Sequence, residues 1–205
     1  MKTPHIILVA GPSGSGKSTL AQGLAVQLKA EGHACEVIEL DNYYRDLSHI
    51  TEEARNRQNF DQPDAWEKER LISDARSFKS VKAIEMPIYD FSTHLRTPET
   101  KTVLPADYII MEGLFALCYD ELNAIADLKI YVGLEDSIAL VRRIERDTRE
   151  RGRSRRSIIA QYETTVQPAN EKYIRPSASN ADVQVHGTLS LVEQLRAIED
   201  LIRPG

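Results

Sequence analysis

Residues 11–18 form a glycine-rich segment whose residue types could bind a phosphate chain. The segment Gly-Pro-Ser-Gly-Ser-Gly-Lys-Ser fits the pattern G-x-x-x-x-G-K-[ST]. Glycines let backbone N–H groups turn toward phosphate oxygens, and a helix that follows adds partial positive charge. We predict that Lys17 reaches the β- and γ-phosphates of ATP and that Ser18 holds Mg²⁺; a turn without a ligand is the alternative. The predicted phosphate-binding residues are Gly11, Pro12, Ser13, Gly14, Ser15, Gly16, Lys17, Ser18 and Thr19.

Two acidic residues follow apolar runs and could complete this chemistry. Glu112 comes directly after residues 108–111, whose apolar character predicts a buried strand. A carboxylate there could hold the water shell of Mg²⁺, although pairing with an arginine is the alternative. Asp41 directly follows the strand predicted at residues 35–40. It could accept a proton from an attacking hydroxyl or serve the metal, or it could only cap the next turn.

Aromatic residues are concentrated near Asp41 in the sequence. Five of the twelve Phe and Tyr residues fall within 43–60 and 89–91. Flat rings beside polar side chains suit a planar heterocycle that carries hydroxyl groups, although each ring taken singly could be ordinary packing. The residues of this candidate pocket are Tyr43, Tyr44, Asn59, Phe60, Asp61, Tyr89, Asp90, Phe91 and His94.

Residues 142–156 contain eight arginines and three acids in a chain whose net charge is −5. Arginine presents a planar fork of donors that suits phosphate oxygens. Arg142 and Arg146 share a helix face, and Gly152 should interrupt the helix so that later arginines can move. We expect an arginine-rich lid at about 146–157 that closes over ATP and excludes water. A solvated helix face and a nucleic-acid patch are the alternatives.

The elements that must position these groups alternate between short apolar runs and helical segments. This alternation predicts an α/β fold of the P-loop NTPase class, a mostly parallel five-stranded sheet with helices on both faces. Residues 83–104 instead predict an antiparallel hairpin flap. Ligands bind at the carboxyl ends of the strands in such sheets. Strands are predicted at 6–9, 35–40, 108–111, 128–132 and 183–185, and helices at 17–30, 64–78, 136–150, 158–173 and 189–202.

Length and composition narrow the class of protein. A chain of 205 residues, 41% hydrophobic and 28% charged, predicts one soluble globular domain over residues 1–205. The acidic balance disfavours general nucleic-acid binding. The two cysteines, Cys35 and Cys118, lie far apart in no CxxC or metal-binding spacing. This excludes a disulfide framework and predicts a reducing, cytoplasmic location. No apolar run approaches the roughly 18 residues of a membrane span, and residues 5–10 are too few for a signal peptide.

Taken in order, these motifs resemble the uridine–cytidine kinase family, within the wider phosphoribulokinase/uridine kinase group. The resemblance covers about residues 6–183. It implies phosphorylation of the 5′-hydroxyl of uridine or cytidine by ATP and Mg²⁺, and a homotetramer, with no nucleic-acid or membrane partner. The segments that carry it are Gly11–Ser18, Leu40–Asp46, Asn59–Ala65, Pro87–Phe91 with His94 and Arg96, Glu112–Gly113, Arg142–Arg153 and Gln161–Tyr162.

The resemblance also implies roles for individual residues. Asp41 would be the general base, and Ser18 and Glu112 would serve the metal. With Lys17, Arg146 and Arg151 would contact the ATP phosphates. Asp61 would hold the ribose hydroxyls, and Tyr89 with His94 would recognise the base. The substrate-binding residues implied are Tyr44, Asp61, Tyr89, Phe91, His94, Arg143, Arg153 and Gln161.

The sequence departs from this family at three places. Residues 183–188 lack the Pro-x-Gly turn with basic residues that usually follows the last strand, Gly133 replaces a frequent acid, and Gln62 replaces a common His. Other functions stay open on the sequence. They are a kinase of the same group that acts on another nucleoside or sugar hydroxyl, a non-catalytic nucleotide-binding regulatory module, and RNA binding through the arginine segment.

Overall fold

A computed structural model describes residues 2–202, apart from the side chains of Asn56 and Arg151. The strands of its central sheet are β1 (His5–Ala10), β2 (Cys35–Glu39), β5 (Tyr108–Glu112), β6 (Leu128–Gly133) and β7 (Val183–His186). All neighbouring pairs are parallel, in the order β2-β5-β1-β6-β7. The predicted α/β fold with a five-stranded parallel sheet is confirmed, and each strand boundary falls within one residue of its predicted position.

Helices connect these strands and cover the sheet. None of the helices between residues 2 and 202 has the length and apolar character that crossing a membrane would need. The helices are α1 (Lys17–Ala30), α2 (Glu52–Asn56), α3 (Lys68–Lys79), α4 (Asp120–Asn123), α5 (Asp136–Arg151), α6 (Arg155–Gln161), α7 (Gln167–Ala169), α8 (Arg175–Ser177) and α9 (Leu191–Ile202).

The core lies on both faces of the sheet because successive side chains of a strand point to opposite faces. On β1, Ile6 and Leu8 join a cluster that contains Trp66, Phe78 and Phe115. The alternate residues of the same strand join the opposite cluster, which is built with α1 and α9. Its members include Ile7, Val9, Leu20, Leu24, Leu28 and Ile198. Burial on both faces explains why this strand is an unbroken apolar run.

The predicted flap is an antiparallel hairpin of β3 (Ile84–Asp90) and β4 (Leu95–Val103). Its register pairs Ile84 with Val103 and Asp90 with Leu95. The hairpin is tied to the end of β2 because the backbone N–H of Tyr89 donates to Asn42 Oδ1 at 3.2 Å. It therefore holds the aromatic residues of β3 beside the 3₁₀ turn Leu40–Tyr43.

The helix predicted at 64–78 is wrong at its start. Residues Pro63–Ala65 form a 3₁₀ turn, Trp66 is extended, and α3 begins only at Lys68. The reason is a tertiary contact: Tyr44 and Trp66 form an antiparallel bridge, and Glu67 N donates to Tyr43 O at 2.7 Å. A backbone that pairs with a distant segment cannot also make helical hydrogen bonds.

The helix predicted at 158–173 is part of a longer helical stretch. It begins with α6 and continues to the 3₁₀ turn Ala178–Asn180, and it contains two π turns, Tyr162–Val166 and Asn170–Ile174. A π turn places a hydrogen bond between residues five apart and widens the helix. The first π turn directly follows Gln161, a predicted substrate residue.

Candidate active site

The carboxyl ends of three adjacent strands bring the candidate residues to one edge of the sheet. Glu112, the last residue of β5, lies in register with Val9 of β1 and with Glu39 of β2. The glycine-rich loop begins two residues after Val9, and Asp41 lies two residues after Glu39. The parallel register therefore gathers the loop, Glu112 and Asp41 at the edge where such sheets bind ligands.

The glycine-rich loop turns directly into α1. Gly16 is the N-cap residue and has a φ of 94°, a left-handed conformation in which a side chain would be strained. Within the loop, Ser15 N donates to Pro12 O at 3.1 Å. Because glycine offers no capping side chain, the first N–H groups of α1 stay available to an anion. The loop has the local geometry of a phosphate site.

Ser18 and Glu112 form the pair predicted for the metal. Ser18 Oγ donates to Glu112 Oε1 at 2.8 Å. The other carboxylate oxygen, Oε2, is buried and has no hydrogen-bond partner among the described residues. A buried carboxylate oxygen without a partner is costly, and a hydrated cation beside it would remove that cost. Oxygen ligands of this kind suit Mg²⁺, so the residues fit the expected ion.

A cavity of about 480 Å³ opens beside the loop. Arg142 joins two of its walls, because Nη1 donates to Gly14 O at 3.2 Å and to Gly187 O at 2.9 Å. The segment after β7, where the sequence departs from the resembled family, thus still packs on the phosphate loop. The lining residues are Gly14, Gly16, Lys17, Ser18, Thr19, Arg142, Arg146, Gly187, Leu189, Leu191 and Gln194. The cavity can hold the rest of a nucleotide whose phosphates lie in the loop.

Asp41 and Asp61 meet at a buried tyrosine. Tyr44 is 7% exposed. Burial raises its pKa well above the usual value, and the nearby charges of Asp41 and Asp61 raise that pKa further. Asp61 is itself buried, and its Oδ2 accepts a hydrogen bond from Thr165 Oγ1 at 2.6 Å. Two carboxylates of the candidate pocket thus lie near the same tyrosine, where they can accept hydrogen bonds or a proton from hydroxyl groups.

The aromatic rings of the candidate pocket lie against one another. Tyr44 and Tyr89 have ring centroids 5.3 Å apart, and Tyr89 meets Phe91 at the same distance. Phe60 and His94 stack at 4.6 Å with planes 18° apart. The Tyr89 hydroxyl is buried without a hydrogen-bond partner in the described part of the chain, and burial raises the pKa of Tyr89 to about 12. Burial, then the charge of Arg55, lowers the pKa of His94, which favours a neutral ring.

One aromatic residue assigned to the pocket from sequence belongs to the core instead. Tyr43 is fully buried, and its hydroxyl donates to Asp74 Oδ2 at 2.8 Å. Tyr44 and Tyr89 belong to the same buried cluster, but the Tyr89 hydroxyl has no partner among the described residues, whereas that of Tyr43 is used by Asp74. Ordinary packing, the alternative kept for each ring, is therefore correct at this position.

Three predicted substrate residues are brought together by hydrogen bonds. Arg143 is 6% exposed, and it donates from Nη1 to Ser13 Oγ at 3.1 Å and from Nη2 to Gln161 Oε1 at 3.0 Å. Arg153 Nη1 donates to the same Gln161 oxygen at 2.6 Å. Burial lowers the pKa of Arg143, while the charge of Asp61 opposes that shift. Arg143 thus links the phosphate loop to the pocket of Asp61.

The predicted lid consists of the end of α5, a break and the start of α6. Gly152 has a φ of 61° and ends α5, and Ser154 caps α6 by accepting from Ser157 N. Arg146 lines the cavity, with Nη2 3.5 Å from Ser13 Oγ. The side chain of Arg151 lies outside the described residues. The arginines that contact the phosphate loop or Gln161 are Arg142, Arg143, Arg146 and Arg153. Most described arginine contacts of this segment are therefore made with the candidate site.

Sequence reasoning assigned no role in the site to three residues that the structure places there. Thr165 holds Asp61, Arg142 holds the loop, and Asp147 accepts hydrogen bonds from several arginines. Two signals were available, since Asp147 follows Arg143 by four residues and Thr165 follows Gln161 by four, the spacing of one helix face. The partner of Thr165 could not be found this way because Asp61 is distant in sequence.

The family model for the phosphoribulokinase / uridine kinase family matches residues 6–190. The chain belongs to this family. A uridine kinase of Staphylococcus epidermidis is 41% identical over 183 residues, which cover 89% of this chain and 87% of that protein. A uridine kinase of Lactobacillus johnsonii is 40% identical over 184 residues, with 90% and 87% covered. These relatives confirm the family resemblance seen in the motifs.

Solved structures agree with the fold of this family member. Phosphoribulokinase from Rhodobacter spheroides superposes with a TM-score of 0.69 at 20% identity, covering 91% of this chain and 71% of that one. A likeness at that identity supports the P-loop kinase fold alone. The family is one of kinases, so this chain is a phosphotransferase whose phosphate loop binds a nucleotide.

Proposed function

We propose that this kinase transfers the γ-phosphoryl group of ATP to the 5′-hydroxyl of uridine or cytidine, forming UMP or CMP in pyrimidine salvage. The observation that carries the proposal is the position of Asp41. It follows the strand beside Glu112 and lies with Asp61 at buried Tyr44. Uridine kinases about 40% identical over most of the chain support this choice of acceptor.

The pocket offers groups that suit each part of a nucleoside. Asp61 suits a ribose diol, because a carboxylate can accept from two hydroxyls. The buried hydroxyl of Tyr89 and the neutral ring of His94 suit the polar edge of a pyrimidine. Phe91, which is 48% exposed, can cover the base from the solvent side. Arg143, Arg153 and Gln161 form the wall between this pocket and the phosphate loop.

In the proposed reaction, Asp41 accepts the proton of the 5′-hydroxyl as that oxygen attacks the γ-phosphorus and ADP leaves. A positioned base of this kind contributes about 10²- to 10⁴-fold in rate. Lys17 and the loop N–H groups bind the β- and γ-phosphates, and Arg146 with Arg151 neutralises charge on the transferred group. The arginines also exclude water, which limits hydrolysis of ATP.

We propose Mg²⁺ as the metal of this site. Ser18 and Glu112 would hold it, with Asp41 close to its water shell, and a bound ion would neutralise charge on the β- and γ-oxygens. The hydrogen bond from Ser18 to Glu112 keeps the two oxygen ligands together before the ion arrives. A cytoplasmic location is proposed on the cysteine usage of the sequence, and a homotetramer on the family resemblance.

Asp41→Asn tests the proposed base. We expect turnover with uridine and cytidine to fall by about 10²- to 10⁴-fold, while the dissociation constant for ATP changes little. Glu39→Gln is the matched control, because it removes an exposed charge two residues earlier on the same strand end. Turnover retained in Asp41→Asn would refute the assignment of the base.

A panel of acceptors at fixed ATP and Mg²⁺ tests the substrate. Formation of UMP or CMP in preference to other products is the expected result. If both nucleosides were inert and a sugar or another nucleoside reacted, the chain would be a kinase with a different acceptor. Nucleotide binding without transfer to any acceptor would make it a regulatory module. Salt-dependent retention on RNA that ATP does not displace would support RNA binding.

A further inference from the structure

Asp147 is a fully buried carboxylate inside the arginine cluster of α5. Its Oδ1 accepts from Arg146 Nε at 2.9 Å and from Arg146 Nη2 at 2.8 Å. Its Oδ2 lies 3.7 Å from Arg143 Nε and 3.5 Å from Arg153 Nη1. One carboxylate is thus shared by three arginines of the described chain.

Each of these arginines also contacts the candidate site. Arg143 and Arg146 reach the phosphate-loop residue Ser13, and Arg143 and Arg153 reach Gln161. Asp147 therefore contacts arginines that reach both the phosphate loop on the ATP side and Gln161 on the acceptor side. Arg146 uses its Nε–Nη2 edge for Asp147, so Nη1 lies outside these bonds and can face a phosphate oxygen.

The charges explain why a buried acid is useful here. Arg143 is almost completely buried, and three guanidiniums beside one loop would repel each other and take several orientations without a carboxylate between them. Even when Asp61, whose charge also acts on Arg143, is counted with Asp147, the arginines outnumber the acids. The cluster therefore stays positive, as a site for a triphosphate must.

We propose that Asp147 is a positioning residue of this kinase, which orients Arg143, Arg146 and Arg153 before substrates bind. The inference rests on the proposed function for its catalytic consequence. The orientation of the arginines toward the nucleotide does not depend on which acceptor the enzyme uses. Preformed orientation matters because a displacement of about 1 Å at such groups can cost about a hundredfold in rate.

Asp147→Asn is the first test, because the amide has nearly the same shape and no charge. We expect kcat to fall on the order of a hundredfold, while KM for ATP stays unchanged or decreases, since the site becomes more positive. Glu145→Gln is the matched control, an exposed acid two residues earlier on the same helix. An unchanged kcat, or a loss equal to that of Glu145→Gln, would overturn the proposal.

A double-mutant cycle separates positioning from simple destabilisation. If Asp147 acts through Arg146, the losses in kcat caused by Arg146→Ala and Asp147→Asn combine to less than their product. Losses that multiply fully would mean that the two residues act independently, and the proposal would fail. Thermal melting of each variant verifies that the measured enzyme is folded.

The unmodified protein gives a test that holds even if Asp147→Asn does not fold. Exchange of the arginine Nε–H protons with water can be followed by NMR without any ligand. Because Arg146 Nε donates to buried Asp147, we expect its proton to exchange on the order of tenfold more slowly than the Nε–H of an exposed arginine such as Arg149. Equal rates would overturn the proposal. This result does not depend on the acceptor, so failure of the acceptor panel and failure of this inference are distinguishable.

Discussion

Val81 occupies a backbone position that favours glycine, and replacing it should stabilise the protein. The helices α1 and α3 end in the same hydrogen-bonded motif. Gly32 N donates to Lys29 O and His33 N to Leu28 O after α1. After α3, Val81 N donates to Phe78 O and Lys82 N to Ser77 O. This is a Schellman ending, whose left-handed residue is usually glycine.

The two left-handed residues differ in what they cost. Gly32 has a φ of 90°, whereas Val81 has a φ of 57° and a branched side chain. The left-handed conformation costs a non-glycine residue about 1–2 kcal/mol. Glycine loses about 0.5–1 kcal/mol more on folding because its unfolded chain is freer. The midpoints of these two ranges differ by about 0.75 kcal/mol, so we expect Val81→Gly to raise the free energy of unfolding by about 0.5–1 kcal/mol.

Denaturant unfolding measures this difference directly. For a chain of this size we expect the melting temperature to rise by about 1–4 °C, and the denaturant midpoint to increase at constant slope. Gly32→Val is the matched control. A Cβ at Gly32 would meet nothing within 4 Å, so a loss of about 1 kcal/mol there would be purely conformational. If Val81→Gly were neutral or destabilising while Gly32→Val cost stability, the reasoning about position 81 would be refuted.

Three further changes test the site. Glu112→Gln keeps an acceptor for Ser18 but removes a charge, so the Mg²⁺ concentration that gives half-maximal activity should rise about tenfold or more. Glu39 is the exposed residue in register with Glu112, and Glu39→Gln should leave that Mg²⁺ concentration unchanged. Tyr89→Phe removes a buried hydroxyl without a described partner, so stability should hold or rise while KM for the nucleoside rises about tenfold; an unchanged KM would contradict the base contact. Because the pKa of His94 is below its ordinary 6.5, unfolding takes up a proton there, so stability should fall as pH drops below about 6.5. His94→Asn should reduce that slope in urea titrations at several pH values, and part of it should remain because burial lowers the pKa of His5 as well.

The sheet and the phosphate loop could be predicted because their signals are local. An apolar run buried on both faces, as in β1, and a glycine-rich turn into a helix need no distant partner to be recognised. The start of α3 could not be predicted in this way. Residues 64–66 carry a helix-entry signal, yet the bridge from Trp66 to Tyr44 overrides it. Neither segment alone indicates that the two segments will pair.

In the candidate site too, the residues with local signals could be predicted, and those placed by contacts between distant segments could not. Asp41 and Glu112 could be placed by the rule that ligands bind at strand ends. The contacts of Asp147 could not, because the arginine run of α5 resembles a solvated surface until burial is known. Tyr43 shows the reverse case, since its aromatic neighbours in the sequence suggested a pocket and its hydroxyl is used by Asp74 in the core.

The two π turns between Tyr162 and Ile174 restrict how this part of the chain can change in length. Residues of an α-helix are rotated by about 100° from one to the next. Loss of one residue from α7, the α-helical piece between the two π turns, would turn the residues that follow by that angle and carry Ile174 away from its core cluster. Insertions and deletions should therefore be poorly tolerated in α7.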